Sequence, residues 1–386
     1  MKVKLSDAFD LQMGKTPPRN DRECWGDGHK WISISDIGNA GKYIDTTKEE
    51  ITDIGVSKSG IKVVPKGTVI MSFKLSIGKT AITAEDMYTN EAIMAFINKG
   101  KYEIDTDYLY HMCKGIDWFE GTNKAVLGLT LNKATMSEKT IEIPPMEVQQ
   151  QVVAVLDKMD ELITMRKEQL AKLDQLVKSR FIELFGNFVY EHDRWPVCEV
   201  GDVADTIDPQ PSHRTPPISA DGIPYIGIAE CNYKTRLIDF EKARKVGQNV
   251  LQEHLERYKL DEGDFIIGKI GTIGKPFFVP AEQTYTLSAN TVLIKPRKGQ
   301  VVPQFLFAVF QSEYMDRIID AEKKSTSQPA FGIQKVRKID IPMPPIELQE
   351  QFAAFVEQTD KSKLAIQQSL NKLELLKKSL MQEYFG

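Results

Sequence analysis

Nothing in this sequence pairs its cysteines or gathers its histidines. Cys24, Cys113, Cys198 and Cys231 lie far apart with no C-x-x-C pair, and the five histidines keep no zinc-type spacing. A disulfide scaffold and a zinc site are therefore excluded, and reduced, structural thiols are expected. No run of 18 or more apolar residues occurs. The first residues, MKVKLSDAFD, lack the apolar segment and small-residue cleavage site of a secretory signal, so a soluble cytoplasmic protein is expected. There is no excess of basic charge either. With 50 basic and 54 acidic residues the net charge is −4, and composition alone gives no sign of nucleic-acid affinity.

Catalytic signatures are also scarce. No P-loop occurs: Ser76-Ile77-Gly78-Lys79-Thr80 lacks the first glycine at the required distance. The Pro-Pro pairs at 144–145 and 344–345 precede Met146 and Ile346, so they do not form the Asp/Asn-Pro-Pro-aromatic motif of an adenine methyltransferase. Glu322 and Lys324, with Asp316 or Asp320 upstream, form a nuclease-like E-x-K triplet. In a chain that is 27% charged such a triplet arises by chance and reads as a surface patch. No nucleophile elbow, H-E-x-x-H or EF-hand loop is visible. No catalytic residue, no metal ligand and no bound cofactor is expected.

What the sequence does contain is a duplication. PPMEVQQQ at 144–151 returns as PPIELQEQ at 344–351, and without a gap 144–186 matches 344–386 at Glu147/Glu347, Gln149/Gln349, Gln151/Gln351, Asp160/Asp360, Leu170/Leu370, Leu173/Leu373 and the closing pairs Phe185/Phe385 and Gly186/Gly386. Pro-Pro suits a first helical turn and glycine a C-terminal cap, and neither residue occurs between them. Each copy therefore predicts one helix of roughly 40 residues, a rod of about 60 Å. Apolar residues run through Val148, Val152, Val155, Met159 and Leu162, then shift to Ile163, Leu170, Leu173, Val177 and Leu184. The second copy offers Leu348, Phe352, Phe355, Ile366, Leu370, Leu373, Leu380 and Tyr384. This pattern predicts a coiled-coil seam with a stutter. The simplest partner for each helix is the other, in antiparallel pairing.

The chain thus divides into a domain at 1–143, a helix at 144–186, a second domain at 187–343 and a helix at 344–386, and each segment nets −1. The two domains are weakly alike. VPKGTVIMSFKLSIGKTAIT (64–83) matches LDEGDFIIGKIGTIGKPFFV (260–279), each read as strand, tight glycine turn, strand. WISISDIGN (31–39) matches YIGIAECN (225–232), and TNEAIMAFI (89–97) matches LSANTVLIK (287–295). Segments 10–30 and 205–222, and 115–135 and 312–334, differ most. A shared frame with variable loops suggests two readers of different things.

Small basic and polar clusters fall at matching places in both halves. In the first domain they give Lys15, Thr16, Arg19, Ser33, Ser35, Lys74, Ser76, Lys79, Thr122, Asn123 and Lys124 as candidate DNA contacts. In the second they give His213, Arg214, Thr215, Lys269, Thr272, Lys275, Lys323, Lys324 and Ser325. Lysine and arginine neutralise phosphates, while hydroxyl and amide side chains and arginine reach base edges.

The domain-helix duplication, the helix starts IEIPPMEVQQQVVAVLD and IDIPMPPIELQEQFAAFVE, and the paired Phe-Gly ends resemble the specificity (S) subunit of type I restriction–modification enzymes across the whole chain. The resemblance implies an α+β chain: two mixed α/β target recognition domains held apart by two long antiparallel helices, related by an internal pseudo-twofold. It implies a non-catalytic subunit that recognises an asymmetric bipartite sequence in double-stranded DNA. Its implied partners are two modification subunits, which use S-adenosylmethionine to methylate adenine, and restriction subunits that use ATP and Mg. A coiled-coil adaptor that binds only protein is the alternative.

Overall fold

The structure is a computed structural model in which residues 1–74, 76–119, 131–212, 214–233, 235–325 and 331–386 are described. It forms two compact units, Met1–Glu168 with Gln367–Gly386, and Gln169–Ile366. The division falls within both long helices. Each unit therefore holds one recognition domain, the near part of that domain's own helix and the far part of the other helix.

In the first unit, the run Phe9–Met13 alternates buried and exposed residues and forms a sheet edge, whereas Ile93–Asn98 and Val69–Ser72 are apolar nearly throughout and lie centrally. The sheet order is Phe9–Met13, Ile93–Asn98, Val69–Ser72, Thr80–Thr83, Tyr43–Ile44. A smaller sheet orders Glu49–Ile51, Trp25–Ile32 and Tyr88–Thr89, with Trp31 paired in parallel to Tyr88. Lys2–Lys4 pairs with Thr140–Glu142 and brings the domain back to its starting point.

The second unit repeats the plan. Its larger sheet orders Ala204–Ile207, Thr291–Pro296, Phe265–Gly268 and Pro276–Phe278, and its smaller one Arg244–Val246, Ile218–Ile226 and Thr286–Leu287. Tyr225 pairs in parallel with Thr286, and Val197–Glu199 closes against Asp340–Pro342. The expected tight glycine turns are instead longer connections over 73–79 and 269–275. In each, a glycine at positive φ reaches back across the connection: Gly78 (φ 87°) donates to Ser72 O at 2.9 Å, and Gly274 (φ 79°) to Gly268 O at 3.0 Å.

The two long helices run Met146–Phe185 and Ile346–Phe385. Their pairing is antiparallel in both units. In the first, Asp160 meets Lys377 and Lys167 meets Glu374; in the second, Asp174 meets Lys363 and Phe185 packs on Phe352 with ring centres 5.6 Å apart. The expected stutter is absent. Buried and half-buried positions advance by three and four without interruption through Gln149, Val152, Leu156, Met159, Ile163, Arg166, Leu170, Leu173, Val177, Arg180 and Leu184, and the second helix repeats them 200 positions later. Polar seam residues interrupt the apolar count, so the sequence reads as a shifted register when the helix is not shifted. Val148 and Val155, expected inside, are each 41% exposed. Lys363 and Lys377, in seam positions, are held by Asp174 at 2.6 Å and by Asp160.

Each helix ends inside the core of the other repeat. Phe385 packs beside Tyr108 in the first unit, ring centres 5.5 Å apart, and Phe185 beside Phe305 in the second at 4.9 Å. Each helix also starts on a buried glutamine. Gln149 accepts from Asp105 N (2.9 Å) and donates to Glu103 O and Pro144 O (both 2.9 Å); Gln349 accepts from Val302 N (3.0 Å) and donates to Pro344 O (2.8 Å). Replacing Gln149 by Leu strands a buried amide and two carbonyls, so a loss of roughly 2–4 kcal/mol in urea unfolding is expected, whereas exposed Glu147→Ala changes it by less than about 0.5 kcal/mol.

Candidate nucleic-acid interface

In the first unit, most candidate residues gather where strand ends meet. Lys15 O accepts from Trp31 Nε1 (2.9 Å) and Lys15 N donates to Thr89 O (2.9 Å). Asn90 N donates to Ile32 O (3.0 Å), next to Ser33, and Phe73 N donates to Ala92 O (2.9 Å), next to Lys74. Thr16 bonds to Glu91, and Lys79 lies over Gly38, where an added Cβ would sit 2.6 Å from its ammonium. The segments at 14–19, 33–38, 73–74, 76–79 and 89–92 thus form one surface.

The side chains on that surface differ in how committed they are. Lys74, Ser76 and Lys79 are exposed. Ser33 is less free: it caps the helix Ile34–Asn39, bonding Asp36 at 2.7 Å and Ser35 at 2.8 Å. Lys15 donates to Ser59 O and Gly60 O. Arg19 lies 3.9 Å from the ring centre of Trp25 and 4.9 Å from that of Trp31 while pairing with Glu49 at 2.5 Å. The two tryptophan rings, perpendicular to each other, hold its guanidinium in place, a preorganisation the sequence clusters did not reveal.

The equivalent surface of the second unit is joined by Ser288 N to Ile226 O (2.7 Å) and Lys269 N to Asn290 O (2.8 Å). Thr215 and Thr272 line one cleft of about 380 Å³ there, together with Tyr225, Glu230, Arg244 and Asn290. Arg214 and Lys275 are exposed. Lys269 is different from its expectation as a DNA contact: it is 7% exposed and its ammonium pairs with Asp208 at 3.0 Å. It fixes the end of one strand beside another and offers no charge to solvent. Lys323 and Lys324 lie at the end of the helix Glu313–Ser325, whose Ile319 packs on Gly274, and Lys323 pairs with Asp320 at 3.2 Å. Thr122, Asn123, Lys124 and His213 lie outside the described residues, as does the side chain of Ser325.

A buried histidine supports the loop that carries Arg214 and Thr215. His254 Nε2 lies 2.5 Å from Gln210 Oε1, Nδ1 meets the Thr286 hydroxyl, and Gln210 Nε2 donates to Ser212 Oγ at 2.9 Å. Burial first, and Arg257 second, push the imidazole pKa down to about 4.

Glu322 is paired with Lys335 and Asp320 with Lys323, and among the described residues no group of three or more His, Cys, Asp or Glu could hold a metal ion. Ser76 to Thr80 lead into a strand, so they do not open the helix a P-loop requires. Among the described residues no helix is long and apolar enough to cross a membrane.

A family profile described as "Type I restriction modification DNA specificity domain" matches residues 1–175 and 192–375. The chain belongs to this family. It is 24% identical to the type I restriction enzyme MjaVIII specificity subunit of Methanocaldococcus jannaschii, over 98% of this chain and 90% of that one. It is 31% identical to the MjaIX specificity subunit of the same organism, over 52% of this chain and half of that subunit. In fold it matches a chain solved in a study of complex assembly and conformational transition of the type I R-M system, TM-score 0.62 at 16% identity, covering 100% of this chain and 97% of that one. It also matches the type I S subunit of M. genitalium, TM-score 0.54 at 13% identity, covering 100% and 96%.

In this specificity-domain chain, exposed and buried lysines should respond differently. Alanine at Lys74, Lys79 and Lys275 is expected to weaken DNA binding and flatten its dependence on salt, read by titration at several salt concentrations. Lys269→Ala instead removes the cation that pairs with Asp208, which still accepts from Gln210 N, and should lower stability by about 1.5–3 kcal/mol in urea unfolding. Between pH 6.5 and about 4 the unfolded chain binds a proton that folded His254 refuses, so stability falls as pH falls through that window. From pH 7 to 5 the native protein should lose roughly 2 kcal/mol more than His254→Gln.

Proposed function

We propose that this chain is the non-catalytic DNA-specificity subunit of a type I restriction–modification complex and recognises an asymmetric, bipartite sequence in double-stranded DNA. The observation that carries this reading is the doubled recognition surface. Two domains with the same strand frame present different side chains at equivalent strand ends: Arg19 over Trp25 and Trp31 in one, the Arg244 and Glu230 cleft in the other. Equal frames with unlike readers fit two half-sites of unlike sequence. The paired helices act as the ruler that sets the spacer between half-sites.

The same subunit scaffolds its enzymes. Two modification subunits bring S-adenosylmethionine and methylate one adenine in each half-site, on opposite strands, and restriction subunits bring ATP and Mg; this chain itself holds no cofactor. The complex works on cytoplasmic DNA. Family membership favours this reading over a protein-only adaptor.

Exchanging residues 1–143 for the recognition domain of another family member tests it. With the modification subunits present, sequencing of methylated DNA should show one half-site replaced, the other kept and the spacer unchanged. Two altered half-sites, or none, would defeat the modular reading.

A further inference from the structure

The two recognition domains differ in charge at one equivalent position. In the smaller sheet of each, the aromatic that leads into the surface has a fixed cross-strand partner: Trp31 faces Glu49, and Tyr225 faces Arg244. In the first domain Glu49 is consumed by Arg19. In the second the position is itself an arginine. Arg244 is exposed, and its Nη2 donates to Pro216 O at 2.7 Å. Among the described residues no carboxylate pairs with it, and because Pro216 O takes one of the two Nη2 hydrogens, the other Nη2 hydrogen stands beside that of Nε or of Nη1 as a two-pronged donor for a ligand.

Arg244 shares its cleft with a carboxylate. Glu230 accepts the Gly227 amide at 2.8 Å through Oε2, and among the described residues no hydrogen bond engages Oε1. Arg244 and Glu230 thus line the same space of about 380 Å³ at the strand ends. That pairing argues against a phosphate, which the carboxylate repels. It suits the major-groove edge of one base pair. Guanine offers the acceptors N7 and O6, which arginine binds with two parallel N–H bonds, and the cytosine opposite offers the N4 amine, a donor for a carboxylate.

We propose that the cleft of the second recognition domain reads a G·C pair, with Arg244 on guanine and Glu230 on cytosine N4. This rests on the DNA-specificity reading and names the base pair that this surface selects.

The test uses the full chain assembled with its modification subunits and a pool of duplexes with a randomised 30-base-pair core. Bound duplexes are recovered and sequenced. The native complex should enrich a bipartite motif with a fixed G·C pair in one half-site. Arg244→Ala should lower affinity for that motif about 5- to 150-fold and release selection at that one pair. Arg244→Lys keeps the charge without the planar fork, so it should recover part of the affinity but not the selection. Glu230→Gln should weaken selection at the same pair. The other half-site is an internal control of folding and should stay unchanged in every variant. An unchanged motif with uniformly weaker binding would mark Arg244 as a phosphate contact and overturn the proposal. So would an unchanged motif at unchanged affinity. Failure of the native complex to enrich any motif would instead sink the DNA-specificity reading, and this proposal with it.

Discussion

The constraint on which everything else depends is the heptad seam that both helices carry from end to end. A single 40-residue amphipathic rod exposes an apolar stripe to water along its length, and neither recognition domain offers a surface of that extent. Antiparallel pairing buries the stripe and places each helix end in the core of the other repeat, where Phe185 meets Phe305 and Phe385 meets Tyr108. Each compact unit is therefore assembled from both repeats. Within one chain the duplication supplies each helix with its partner, so it serves folding as well as recognition.

The polar members of the seam add specificity to that pairing. Seam lysines Lys363 and Lys377 meet Asp174 and Asp160 on the opposite helix, whereas the positions equivalent to those lysines in the first helix are Ile163 and Val177. Sliding the helices would move these cations onto apolar neighbours at a desolvation cost. Polar seam residues are known to fix register in this way. Buried Gln149 and Gln349 do the same work at the helix starts, tying each rod to the backbone of its own domain.

Much of this was legible beforehand. The Pro-Pro and Phe-Gly boundaries marked the helices because proline and glycine act through local backbone geometry. The domain likeness around Trp31/Tyr225 and Gly78/Gly274 marked the shared strand frame. The stutter was misread because Arg166, Arg180, Thr359, Lys363 and Lys377 occupy seam positions, and a hydrophobic count cannot see that a polar residue is buried with a partner. Lys269 was misread for the same reason: its burial depends on Asp208, 61 positions away. Arg244, Glu230 and the tryptophan platform under Arg19 stood in no basic cluster, so nothing local singled them out.

By itself the sequence determined the doubled architecture and the extents of the two rods, since both rest on repeats and on short-range signals for turns, caps and periodicity, while the expectation of a scaffold that reads DNA rested on the family resemblance. Only the tertiary structure decided which charges face solvent and which are spent on holding strands together. It also decided how the recognition loops meet at the strand ends and which polar residues complete the seam. Those outcomes depend on residues brought together from distant parts of the chain, and burial, which sets the cost of leaving a charge unpaired, exists only once the fold has formed.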